Sequence, residues 1–113
     1  MNSRQIAVER FDIVSNKSFE HVLVELEKGI GRPDMKAYFE HKAAADSFEE
    51  YERLVKRAVG PADLMEFMRL DPGAVLRKDP TAKAFKAVRI IAGNPLIMKK
   101  MTEHVLTLAP TLP

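Results

Sequence analysis

The chain has 113 residues, 46% apolar and 30% charged, a composition that sets it with globular rather than disordered proteins and suits a single domain over 1–113. It has no cysteine, which excludes disulfide scaffolds, thiolate zinc sites, iron–sulfur clusters and cysteine nucleophiles. Lys and Arg number 18 against 16 Asp and Glu, and the two signs are interspersed; with no Trp and only short basic clusters at Arg77-Lys78 and Lys99-Lys100, no nucleic-acid partner is expected.

No apolar run approaches the ~20 residues that cross a bilayer. Residues 1–10 lack a run of signal-peptide type. The expected setting is therefore the cytoplasm, with no membrane partner.

In chain order, Ile6 to Val14 alternates loosely between apolar and polar and predicts a first strand, with Val8, Phe11 and Ile13 facing the core. Ser18 is a helix N-cap, and Phe19, Val22, Leu23, Leu26 and Ile30 follow at helical spacing. Gly29 and Gly31 bracket the helix end. Pro33 and Asp34 suit the start of a second helix with Met35, Tyr38 and Phe39 on its apolar face, which Ala43-Ala44-Ala45 continues or links to the next. Ser47-Phe48-Glu49-Glu50 matches a capping box, and Phe48, Tyr51, Leu54, Val55 and Ala58 form the stripe behind it. Gly60-Pro61 stops that helix.

Leu64 to Leu70 predicts a strand, Asp71-Pro72-Gly73 a tight turn, and Ala74 to Arg77 the returning strand of a hairpin. Lys78 to Lys83 is a polar loop. Ala84 to Ala92, with Phe85, Val88, Ile90 and Ile91, predicts a further strand. Asn94 and Pro95 suit the cap and first position of a last helix, Leu96 to Val105, whose buried face is expected to hold Ile97, Met98, Met101 and Val105. Leu106 to Pro113 is apolar and proline-broken. The predicted class is α+β: an antiparallel sheet with helices on one face, in the order β-α-α-β-β-β-α.

Motifs of common chemistry are missing: there is no GxxxxGK[ST], GxGxxG or GxSxG. Gly93-Asn94-Pro95 at a strand-to-helix junction offers free N–H groups to an anion, although an ordinary turn and cap accounts for it as well. His21, His41 and His104 show no HExxH or HxH spacing. Met98, Met101 and His104 place two thioethers and an imidazole along one helix, a donor set suited to copper(I); methionine as core filler is the plainer account. Asp34, Glu40, Asp46, Glu49 and Glu50 fit helix starts and solvated faces, and Ser18 and Ser47 fit caps rather than nucleophiles.

Three segments carry a family resemblance: Arg10-Phe11-Asp12-Ile13-Val14-Ser15, Ser18-Phe19-Glu20 opening an amphipathic helix, and Gly93-Asn94-Pro95-Leu96-Ile97-Met98 after an apolar strand. Together they resemble the family called domain of unknown function 302, from about Ile6 to Pro110. The resemblance implies a compact α+β fold similar to TATA-binding-protein-like and helix-grip architectures, association as dimers, and no assigned activity, catalytic residue or cofactor. Family members continue past a segment like Ala109-Pro110 into further strands, so an unpaired sheet edge and self-association are expected here.

The function expected from these features is a non-enzymatic ligand-binding or protein-interaction module acting as a homodimer. A small hydrophobic ligand would sit between sheet and helix, with Gly93 and Asn94 near its polar end and Phe67, Met98 and Met101 as lining. The alternatives are a soft-metal (copper) or redox-related binder through Met98, Met101 and His104, and an enzyme of unknown class.

Overall fold

A computed structural model describes residues 2–81 and 86–108. It is α+β, with helices α1 (Phe19–Gly29), α2 (Met35–Ala44), α3 (Phe48–Ala58), α4 (Pro72–Leu76) and α5 (Pro95–Leu108), and strands β1 (Met65–Leu70) and β2 (Arg89–Gly93). The helix starts follow local chemistry. Ser18, Asp34 and Ser47 each accept a backbone N–H of the first turn that the helix itself cannot satisfy. At Ser47 the box is closed by Glu50, whose carboxylate accepts from the Asp46 N–H at 2.9 Å rather than from the cap residue itself.

Two expected strands are corrected. Residues 6–14 form no strand, and Ile6, Val8, Phe11 and Ile13 are 74–90% exposed. Alternation prepares one face for burial, but a strand also needs a neighbour's backbone, and no described strand lies beside this one. Ala74 to Arg77 falls in and beside α4 instead of a returning strand. Asp71 Oδ1 accepts from Ala74 N at 3.1 Å, and Pro72 supplies a pre-set φ without a donor to waste, so Asp-Pro opens a helix here rather than turning a hairpin. The strand predicted over 84–92 begins at Arg89; Ala84 and Phe85 lie outside the described residues. The order among the described residues is thus α-α-α-β-α-β-α.

The sheet is a two-stranded antiparallel ribbon. Met65 pairs with Gly93, Glu66 with Ala92, Met68 with Ile91, Arg69 with Ile90 and Leu70 with Arg89, leaving Phe67 as the extra residue of a bulge. The bulge resets the alternation of side chains. Glu66 and Arg69, three residues apart, therefore share one face instead of opposing each other. On that face Arg69 donates to Glu66 at 2.7 Å and to Glu27 of α1 at 2.8 Å, and Arg32 donates to Glu66 at 3.2 Å. This four-charge cluster ties α1 to the sheet.

The other face carries Met65, Phe67, Met68, Leu70 and Ile91. Its Met65 end is covered by α2 and α3. Tyr38, Leu54 and Met65 form the core cluster, with Met35, Tyr51, Ala58, Val59 and Phe67 packed against it; Val55 is also fully buried. Burying Met65 completely is worth roughly 1.5–3 kcal/mol. Beyond that end, Met68, Leu70 and Ile91 are 42–53% exposed.

The ends of α1 and α3 meet backbone to backbone. Gly31 N donates to Leu64 O at 2.8 Å, Glu66 N to Gly31 O at 2.7 Å and Ala62 N to Gly29 O at 2.9 Å. A Cβ on Gly31 would lie 1.9 Å from the Ala58 carbonyl oxygen. These glycines admit close approach of two chains rather than an unusual φ. Among the described residues, the one positive φ outside glycine is at Asp63 in the connecting turn, where a short polar side chain tolerates it.

α5 is helical as expected, but its predicted buried face is not buried. Ile97, Met98, Met101 and Val105 are 49–64% exposed. Helical spacing identifies the stripe, and only a packing neighbour buries it. α5 contacts α3 near its start, where the Lys99 ammonium sits 4.8 Å from the centre of the Phe48 ring.

Candidate functional site

A groove of about 340 Å³ opens where four elements converge on the covered end of the sheet. Its walls are Met35, Tyr38, Phe39 and Lys42 of α2, Tyr51 of α3, Phe67 of β1, and Pro95 and Met98 of α5. The volume sits at the small end of the roughly 300–1,000 Å³ typical of ligand sites.

Helical spacing explains the α2 wall. Tyr38 and Lys42 are four residues apart, as are Met35 and Phe39, so each pair lies one turn above the other. Phe39 packs edge-on to Tyr38 with ring centres 5.6 Å apart. The Lys42 ammonium stands 5.9 Å from the centre of the Phe39 ring. Opposite, α3 brings in Tyr51, whose hydroxyl is 3.0 Å from that of Tyr38. Burial, then the bond to Tyr51, pushes the Tyr38 phenol well above the ordinary tyrosine range. The pair is thus a neutral hydrogen-bonding element in an otherwise apolar wall.

Gly93 shapes the groove without facing it. A Cβ there would lie 2.8 Å from Phe67 Cε2 and 3.6 Å from Met98 Sδ, so the bare backbone lets the Phe67 ring lie against the end of β2. The bulge puts Phe67 in that place. Gly93, Phe67 and Met98, three of the residues singled out from sequence, are therefore brought together.

The other candidates are placed elsewhere. Asn94 spends both ends of its amide on the fold: Oδ1 accepts from Leu96 N at 2.9 Å, capping α5, and Nδ2 donates to Asp63 O at 3.0 Å. Met101 and His104 lie farther along α5, both exposed. At 1.5 Å of rise per residue, Met98 and His104 are about 9 Å apart along the axis and about 120° apart around it. The Met98, Met101 and His104 donors are thus strung along the helix rather than gathered on one point. Among the described residues no group of three His, Cys, Asp or Glu side chains could hold a metal ion, and no helix is long and apolar enough to cross a membrane.

Sequence reasoning passed over Lys42 and treated Met35, Tyr38 and Tyr51 as plain core stripe. One signal pointed to them. The chain has only two tyrosines, both on helical stripes, and a buried tyrosine hydroxyl wants a partner.

No protein-family model matches the chain, and no curated protein or solved structure matches it.

Proposed function

We propose that the chain is a non-enzymatic binding module for a small apolar ligand seated in the groove between α2, α3, β1 and α5. The observation that supports this reading is the convergence of Phe67, Met98 and the Tyr38–Tyr51 hydroxyl pair on one apolar concavity that Gly93 keeps open. A largely apolar lining with few polar groups is the usual make-up of a ligand site. Calorimetric titration with straight-chain alcohols tests it. Saturable binding of one molecule per chain is expected, lost in Met98→Trp, where the half-exposed position tolerates a larger side chain that fills the groove. Binding that never saturates, or that Met98→Trp leaves intact, would overturn the reading.

A second observation favours self-association. The chain exposes 9889 Å², against about 6,300 Å² expected of a folded monomer of its mass of 12.8 kDa. Among the described residues, Ile97, Met101 and Val105 on α5 and Met68, Leu70 and Ile91 on the sheet are exposed apolar side chains. An obligate dimer buries roughly 2,000–5,000 Å² in total, which this surplus can supply. We read the second copy as the partner that covers these faces. Sedimentation at tens of micromolar tests this, and a clean monomer there would sink it. Membership in the domain of unknown function 302 family stays a proposal that rests on the sequence motifs around Arg10-Phe11-Asp12, Ser18-Phe19-Glu20 and Gly93-Asn94-Pro95.

A further inference from the structure

We infer that the ligand of the groove is a small apolar carboxylate whose head lies between Lys42 and the Tyr38–Tyr51 pair and whose body lies on Phe67, Met35 and Met98. The inference rests on the binding reading above and adds the ligand's charge.

Three observations carry it. First, the groove is lined by one cation and no anion: Lys42 is its only charged wall residue, and Lys42 has no carboxylate partner among the described residues. A lysine held beside an apolar cleft with no anion to meet it leaves a positive potential there, which a low-dielectric wall strengthens. Second, the phenol pair has a donor to spare. Two hydroxyls carry two protons, and the bond between them uses one. The second proton has no acceptor among the described residues, so it can be donated to an acceptor in the groove. Burial and the bond to Tyr51 hold the Tyr38 phenol in its protonated form. Third, Tyr38 and Lys42 lie four residues apart on α2 and both line the groove, which places a phenol and an ammonium on neighbouring turns of one wall.

One ammonium and one hydroxyl proton match a single negative charge with two acceptor oxygens. A dianionic phosphate would leave a charge unmet. A neutral ligand would leave Lys42 without its anion. The volume of about 340 Å³ limits the body to a short chain or a single ring.

The test compares octanoate with octanamide, which have the same shape but differ in charge. Both tyrosines of the chain line the groove and the chain has no Trp, so intrinsic tyrosine fluorescence reports on this site alone. Octanoate is expected to bind about ten-fold more tightly than octanamide, in keeping with a charge-assisted head contact. In Lys42→Gln, at an exposed position, the preference for octanoate over octanamide should disappear. Equal affinity of acid and amide for the native chain would overturn the carboxylate and leave the groove reading standing. An acid preference that survives Lys42→Gln would also overturn it. Saturable binding of neither compound would overturn both.

Discussion

Gly31→Ala isolates the backbone crossing that holds the helices on the sheet. Its Cβ would lie 1.9 Å from Ala58 O, 2.6 Å from Gly60 N and 2.7 Å from Val59 C, all backbone atoms that no rotamer can move aside. Reaching an ordinary contact of 3.4 Å requires the two chains to part by about 1.5 Å. The hydrogen bonds at 2.8 Å from Gly31 N to Leu64 O and at 2.7 Å from Glu66 N to Gly31 O do not survive that separation. A donor left without its acceptor costs about 1–3 kcal/mol, so the two together cost about 3 kcal/mol where water reaches part of the segment. For a domain of this size that lowers Tm by roughly 10–20 °C. Gly29→Ala is the control, because its Cβ meets only Ala62 Cβ at 3.9 Å and Gly29 is the last residue of α1. There alanine should be neutral or stabilise by up to about 1 kcal/mol, through a less flexible unfolded chain. Thermal melts followed by circular dichroism compare the two. A Gly31→Ala melt within a few degrees of the native chain, or an equal loss in Gly29→Ala, would refute the reasoning.

Other outcomes follow from the same geometry. Gly93→Ala meets the far edge of the Phe67 ring, which can tilt, so it should cost only about 1 kcal/mol while pushing the ring into the groove and weakening octanoate; unchanged octanoate affinity would show that Phe67 does not set the groove's width. Tyr51→Phe leaves Tyr38 as the chain's one phenol, and its tyrosinate absorbance should appear well above pH 10 in the folded protein and near pH 10 in urea. Because folding favours the neutral phenol, this stability is intact below about pH 10 and is lost as pH rises through the folded-state value; a folded midpoint near 10 would contradict burial as the cause. Arg69→Met removes the cation shared by Glu27 and Glu66, whose side chains are 32% and 11% exposed, and should cost about 2 kcal/mol in urea unfolding and reduce its dependence on salt. A variant with native stability and native salt response would show that the cluster is ornamental.

The helix caps were legible because their chemistry is local. Ser18 and Ser47 each need only the next three residues to act, whereas Asp34, expected in the first turn behind Pro33, is itself the cap of a helix that starts at Met35. The Asp71-Pro72 start of α4 was read as a turn, since the same two residues serve both structures and only the continuation decides between them. The groove was half legible. Gly93 and Met98 were found at and just after the strand-to-helix junction, and Phe67 as an apolar residue of the strand predicted over 64–70. Tyr38, Tyr51 and Lys42 were not, because their meeting depends on how α2 crosses α3.

By itself, then, the sequence determined the starts of α1, α3 and α5, the apolar stripes and the α+β class, all of which rest on interactions within a few residues. Only the tertiary structure decided which stripes are covered. Burial needs a partner surface, so the stripe of α3 became core while the equally regular stripe of α5 stayed open. It also decided where Glu66 and Arg69 point, because one extra residue opposite β2 is invisible along a single strand. And it decided what the two tyrosines are for: residues 13 apart in the chain share a proton only because the fold brings α2 against α3.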